Sequence, residues 1–164
     1  MAYGKRRKPM EPERAGDVAA AREAGISLLA RRDFASGELR ERLEQRGYQG
    51  PVAAVAVAEL LEQRVLNDAR YAENYVSHHA DRGQGPVRIA ADLKALGLSS
   101  ELVEASIAAG PDWQTLARKA RLRKFGPAAP SDWSEKARQA RFLQYRGFSS
   151  DHIRSALGAD FDLD

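Results

Sequence analysis

The chain contains no cysteine. A disulfide framework, a thiol nucleophile and a thiolate zinc site are therefore excluded. No stretch approaches the roughly 18 uninterrupted apolar residues of a membrane span. The basic run Lys5-Arg6-Arg7-Lys8 has no apolar segment behind it, so a secretory signal is not expected. No Asn-Gly or Asp-Gly pair is present to turn a two-residue hairpin, which argues against strands. A P-loop, a Rossmann glycine fingerprint and a His-Glu-x-x-His motif are all missing. Of the three histidines, His78 and His79 are adjacent and point about a quarter-turn apart on a helix, while His152 is far away in sequence. Capping and surface roles are expected for all three, and no metal site. Glu41 and Glu44 lie among arginines and read as surface ion pairs. These absences lead away from catalysis: no enzyme, no cofactor and no metal is expected, and a binding protein is.

What the chain does contain is helix. Apolar residues make up 43% and charged residues 30% of the 164 positions, the balance of a soluble, surface-charged helical protein. The segment from Leu66 to Gly97 is the most legible. A helix opens at Asn67 or Asp68, both good caps, and carries Tyr71, Tyr75 and Val76 at helical spacing. It closes in His78, His79, Arg82 and Gly83, a cation-rich turn ended by glycine. Gly83-Gln84-Gly85-Pro86 breaks the chain, and Pro86 suits the first turn of a new helix. Ile89, Leu93 and Leu96 form that helix's buried stripe, Gly97 stops it, and Arg88 and Lys94 are left outside. Earlier, a first helix carries Ile26, Leu28 and Leu29 and ends near Arg31-Arg32-Asp33. Ser36 is a good N-cap for a second helix with Leu39 and Leu43 inside. Gly50-Pro51 opens a third, with Val52, Val55, Val57, Leu60 and Leu61 apolar.

A repeat runs through these helices. Gly47, Gly97 and Gly147 lie fifty residues apart, each four positions after Leu43, Leu93 or Leu143 and directly before Tyr48, Leu98 or Phe148. Ala53, Val103 and Ile153 continue the series, as do Val57, Ile107 and Leu157. Ser99-Ser100 is matched by Ser149-Ser150. Each glycine can take the left-handed conformation that ends a helix, and the apolar residue after it packs back under the turn. Upstream helices at about 18–33, 68–82 and 112–125 complete three units. The expected fold is all-α: three tandem three-helix repeats in an elongated, curved body, since small units gain stability by stacking on neighbours. The expected divisions are a disordered basic tail over 1–16, repeats over 17–65, 66–110 and 111–158, and an acidic tail over 159–164. A longer connector, Gly126-Pro127-Ala128-Ala129-Pro130, is confined to the third repeat.

Charge is unevenly spread. Residues 1–16 sum to +3, 17–113 to −4, 114–146 to +7 and 147–164 to −3. A basic block between acidic flanks is a candidate polyanion-binding surface; the plain alternative is a set of solvated helix faces. Within the block, Trp113, Leu116, Ala117 and Ala120 mark an apolar face, and Asp132 with Glu135 has capping-box spacing. Trp133 and Phe142 have the chemistry of base-stacking platforms, but their helical spacing favours the core.

Leu66-Asn67-Asp68-Ala69-Arg70-Tyr71-Ala72, then Arg82-Gly83-Gln84-Gly85-Pro86-Val87-Arg88-Ile89, then Arg141-Phe142-Leu143-Gln144-Tyr145-Arg146-Gly147-Phe148 together closely resemble the RecX regulatory proteins. The order and separation of the motifs match, and the resemblance covers about residues 18–158. Where that family usually has an acid pair after the leucine, this chain has Asn67-Asp68, which leaves the cap intact. The resemblance implies a bacterial, cytoplasmic, all-helical protein of three tandem repeats. It also implies binding to the RecA recombinase and its filament on single-stranded DNA, lodged in the helical groove. The expected outcome is inhibition of ATP hydrolysis, coprotease activity and strand exchange, and so modulation of recombination and the SOS response. A monomer with weak direct DNA binding and no membrane association is expected. Arg82, Arg88, Arg118, Lys119, Arg121, Lys124, Arg138, Arg141 and Arg146 are the candidate contacts with filament or DNA. Tyr71, Ile89, Leu93, Phe142, Leu143 and Phe148 are expected to be structural. The competing reading is a helix-turn-helix-type DNA-binding module acting without recombinase. A third is an adaptor for some other protein.

Overall fold

The computed structural model describes residues 8–158, and among them ten helices and no strand. In chain order these are α1 (Pro12–Ala15), α2 (Val18–Leu29), α3 (Ser36–Arg46), α4 (Gly50–Glu62), α5 (Asp68–Asp81), α6 (Pro86–Ala95), α7 (Ser100–Ala108), α8 (Trp113–Phe125), α9 (Trp133–Arg146) and α10 (Ser150–Leu157). After the short α1, the helices fall into three successive groups of three. The chain forms two compact units, one up to Tyr71 and one from Ala72 onward, divided inside α5.

Local chemistry sets the helix boundaries. Asp17, Ser99, Asp112, Asp132 and Ser149 each accept a hydrogen bond from the backbone N–H three residues on, satisfying a donor that the first helical turn leaves unpaired. Gly47, Gly97 and Gly147 have φ of +112°, +90° and +95°, a conformation side chains rarely adopt. That turn directs the N–H of Tyr48, Leu98 and Phe148 back to the carbonyls of Leu43, Leu93 and Leu143, at 3.2, 3.3 and 3.1 Å. All six of these apolar residues are buried. The same closure is thus built three times, and each copy pins an apolar plug beneath its helix end.

In the first unit, α2, α3 and α4 enclose Ala21, Leu28, Phe34, Leu39, Leu43, Ala53, Val57 and Leu60, with Leu66 closing the cluster. The Tyr48 hydroxyl donates to the Ala20 carbonyl at 3.2 Å. In the second unit, Ala117, Ala140, Leu143, Phe148, Ile153 and Leu157 form the cluster shared by α8, α9 and α10.

Three expectations need correction. Residues 8–16 do not form a disordered tail: Met10 packs on the first core, Pro12–Ala15 makes a helical turn, and the Ala15 carbonyl accepts from the Gln49 N–H at 3.0 Å. Residues 1–7 and the acidic segment 159–164 lie outside the described residues. Ser36 is not the N-cap of α3; Ala35 is. The capping is supplied from a distance by Asp68, whose carboxylate accepts from the Ser36 N–H at 2.8 Å and its hydroxyl at 2.6 Å. Trp133 is not in the core but 64% exposed, because it is the first residue of α9 and precedes the turns that face α8.

Candidate functional site

A cationic concavity of the second unit forms where the end of α5 meets α8 and α9. Gly83, at φ +84°, turns the chain after α5. Its N–H reaches the Ala80 carbonyl at 2.9 Å, and the Gln84 N–H reaches that of His79 at 3.0 Å. The side chains reinforce the corner, with His79 Nδ1 2.8 Å from Gln84 Oε1 and the Tyr75 ring stacked on His79 at 3.9 Å. The Gly85 N–H then donates to the Arg146 carbonyl at 2.8 Å, and the Val87 N–H to that of Gly147 at 2.9 Å. Two backbone bonds therefore hold the α5–α6 corner against the end of α9.

This docking encloses a cleft of ≈ 560 Å³. Leu116, Ala120, Leu122 and Phe142 supply its apolar surface, and Arg82, Lys119, Arg123, Lys124 and Arg146 its cations, with Asp81 as the one acid. None of the five cations forms an ion pair among the described residues. Phe142 lies edge-on to Phe125 at 5.3 Å. Its ring is approached by the Arg146 guanidinium at 5.4 Å and the Lys124 ammonium at 6.0 Å, within cation–π range. Cations gathered over a low-dielectric floor raise the local positive potential. Such a surface suits phosphates or carboxylates carried on a partly apolar partner.

Four of the nine candidate residues line this cleft: Arg82, Lys119, Lys124 and Arg146. Arg88 and Arg141 are exposed but outside it. Arg118 is exposed and bonds weakly to the Thr115 hydroxyl at 3.4 Å. Arg138 is committed, with its Nε and Nη2 donating to the two Glu135 oxygens at 3.0 and 2.8 Å and its guanidinium 5.1 Å from the Phe125 ring. Those bonds hold the Glu135 carboxyl below its usual range and raise Arg138 above its own.

Arg121 corrects the expectation outright. It is 7% exposed, with Nε donating to Gln139 Oε1 at 2.8 Å and Nη2 to the Ala128 carbonyl at 2.7 Å. It is thus unavailable to a partner, and it fastens the α8–α9 connector. Arg123 was missing from the expected contacts. A helical wheel would have found it, since Lys119 and Arg123 are four residues apart on one face, whereas Arg121 shares a face with buried Ala117.

Among the described residues no helix is long and apolar enough to cross a membrane. Three family models match in tandem: the RecX first three-helix domain over residues 21–60, the second over 67–107 and the third over 112–157. The regulatory protein RecX of Halorhodospira halophila (strain DSM 244 / SL1) is 40% identical over 141 residues, spanning 85% of this chain and 88% of that protein. That of Vibrio parahaemolyticus serotype O3:K6 is 38% identical over 149 residues, or 90% of this chain and 96% of its own. The solved structure of RecX from Lactobacillus salivarius superposes with a TM-score of 0.73 at 18% identity, covering 85% of this chain and 93% of that one. A second solved regulatory protein RecX gives 0.68 at 17% identity, covering 85% and 72%. These two solved structures share the tandem-repeat fold.

Proposed function

The chain belongs to the RecX family of regulatory proteins, and from that premise we propose that it binds the RecA recombinase and its filament on single-stranded DNA. Binding lowers the filament's ATPase, coprotease and strand-exchange activities, and so tempers recombination and the SOS response. The protein acts in the cytoplasm, as a monomer and without cofactor.

The observation that supports this reading is the cleft between α5, α8 and α9, where cations without acid partners stand over an apolar floor. A nucleoprotein filament offers both chemistries at once, phosphates and carboxylates set in folded protein. The apolar floor favours a protein-bearing target over a bare phosphate chain. A modular chain that touches several recombinase subunits gains affinity because each contact raises the effective concentration for the next.

The test is the ATPase rate of cognate recombinase on single-stranded DNA, with this protein added from far below to above one molecule per recombinase subunit. Inhibition is expected, and the double charge reversal Lys119→Glu/Arg123→Glu shifts the half-inhibitory concentration upward by about tenfold, equivalent to about 1.4 kcal/mol. An unchanged rate with folded protein at saturation overturns the reading. Tight, sequence-selective binding of the protein alone to duplex DNA, measured separately by fluorescence anisotropy, would put the DNA-binding module in its place.

A further inference from the structure

Six arginines lie on α2, α3 and the turn between them. Three have acid partners: Arg22 with Glu59 at 2.8 Å, Arg32 with Glu38 at 2.5 Å and Arg40 with Glu44 at 3.8 Å. The other three, Arg31, Arg42 and Arg46, form neither a side-chain hydrogen bond nor an ion pair among the described residues. All three line one cleft, of ≈ 350 Å³, whose remaining wall is Leu28, Phe34 and Arg32, with no carboxylate. Glu41 of α3 does not line it, and Arg46 also borders a neighbouring cleft that Glu23 lines. Arg42 and Arg46 are four apart on α3, a like-charge spacing that disfavours the helix by a few tenths of a kcal/mol. A bound anion removes that repulsion.

The repeat supplies an independent observation. Counting from the helix-ending glycines, Arg42 and Arg46 correspond to Phe142 and Arg146, and those two residues line the cationic cleft of the third repeat. In the second repeat the same positions hold Asp92 and Leu96, and Asp92 is occupied by the Tyr75 hydroxyl at 3.2 Å. The same two positions of the glycine-ended helix therefore line a cation-bearing cleft in repeats one and three.

We propose that the first repeat carries its own binding site for the phosphates of a nucleic-acid strand, gripped by Arg31, Arg42 and Arg46. Planar guanidinium forks match phosphate oxygens two at a time. The Phe34 ring is 4% exposed and covered by the Arg32 guanidinium at 3.7 Å, so no base stacks there. Arg32 is in turn held by Glu38, and its pKa is raised by that hydrogen bond; it roofs the aromatic ring and does not serve the ligand. The site therefore contacts backbone and is indifferent to base sequence.

The test is fluorescence anisotropy of a labelled single-stranded oligonucleotide at several salt concentrations. Each lost phosphate contact flattens the slope of log K against log salt by about 0.7 on a single strand. The variant Arg31→Gln/Arg42→Gln/Arg46→Gln is expected to flatten it by about 2, and Arg42→Gln alone by about 0.7, equally for mixed and all-thymine oligonucleotides. Arg40→Gln, on the same helix but paired and outside the cleft, keeps the wild-type slope. A triple variant with wild-type helicity and an unchanged slope overturns the proposal. So does one that keeps the slope but loses recombinase inhibition, which would assign the cleft to acids of a protein. Failure of the wild-type protein to inhibit recombinase would sink the functional reading while leaving the slopes to decide this one.

Discussion

Arg121 is buried on α8 with its guanidinium bonded to Gln139 and to the Ala128 carbonyl. Gln139, 2% exposed, passes the connection on to Glu135 through its amide nitrogen at 3.0 Å, and Glu135 also receives Arg138. Removing Arg121 leaves the buried Gln139 Oε1 without its donor, and in that dry setting an unmade bond costs more than a made one contributes. Arg121→Met is therefore expected to destabilise the fold by about 2–4 kcal/mol, measured by urea denaturation, with recombinase inhibition per folded molecule unchanged. Lys119→Met should do the reverse, weakening inhibition with little change in stability. At this scale the sequence was half legible. It placed nine cations in contention, but burial and acid partners decide which remain available, and both come from other helices.

At the scale of the element, the caps were the most readable feature. Asp132 was placed from residue type and spacing alone, because the bond it makes spans three residues. The Asp112 carboxyl is held below its usual range, first by the Thr115 hydroxyl. Ser36 misled because its partner is Asp68, 32 residues away. The α10 cap adds a pH dependence. Ser149 and His152 form a reciprocal box in which His152 Nδ1 accepts the Ser149 N–H at 3.4 Å. Only the neutral imidazole can accept. Burial lowers the His152 pKa, against the opposing pull of Asp151 and Asp112. The unfolded chain therefore binds the proton more readily than the folded one. The stabilisation is whole above the ordinary histidine value of about 6.5 and is lost as pH falls through the depressed folded value. His152→Gln keeps an acceptor at that capping position. Its melting temperature is expected to fall less than the wild type's between neutral pH and pH 5, followed by circular dichroism. Parallel curves for the two proteins would show that the box does not sense protons.

At the scale of the whole molecule, each unit has its own core, and the second unit has an internal seam. There the Gly85 and Val87 N–H groups bond to the end of α9, and Gly147 faces the backbone and Cβ of Arg88. A Cβ on Gly85 would overlap the Gly147 carbonyl and the Phe148 nitrogen. These are backbone atoms that cannot swing aside. Gly85→Ala is expected to open the seam and destabilise the second unit by about 1–3 kcal/mol or more. Trp113 and Trp133, the two tryptophans of the chain, both belong to that unit, so the urea midpoint read from tryptophan emission should drop. Recombinase inhibition should weaken with it, since Arg82 reaches the cleft only through the docked corner.

The sequence by itself determined the all-helical class, the threefold closure at Gly47, Gly97 and Gly147, most helix starts and the family. Each of these rests on interactions that span one or two turns, or on motifs read directly, so a linear pattern carries them. The tertiary structure alone decided that Arg82 joins Lys119, Arg123 and Arg146 around one cleft. It also decided that Arg121 is buried and Trp133 exposed, and that three arginines of a net-acidic segment converge without an acid. Those outcomes depend on which helix faces meet across tens of residues, and the charge of a side chain does not encode its distance from a counter-ion on another helix.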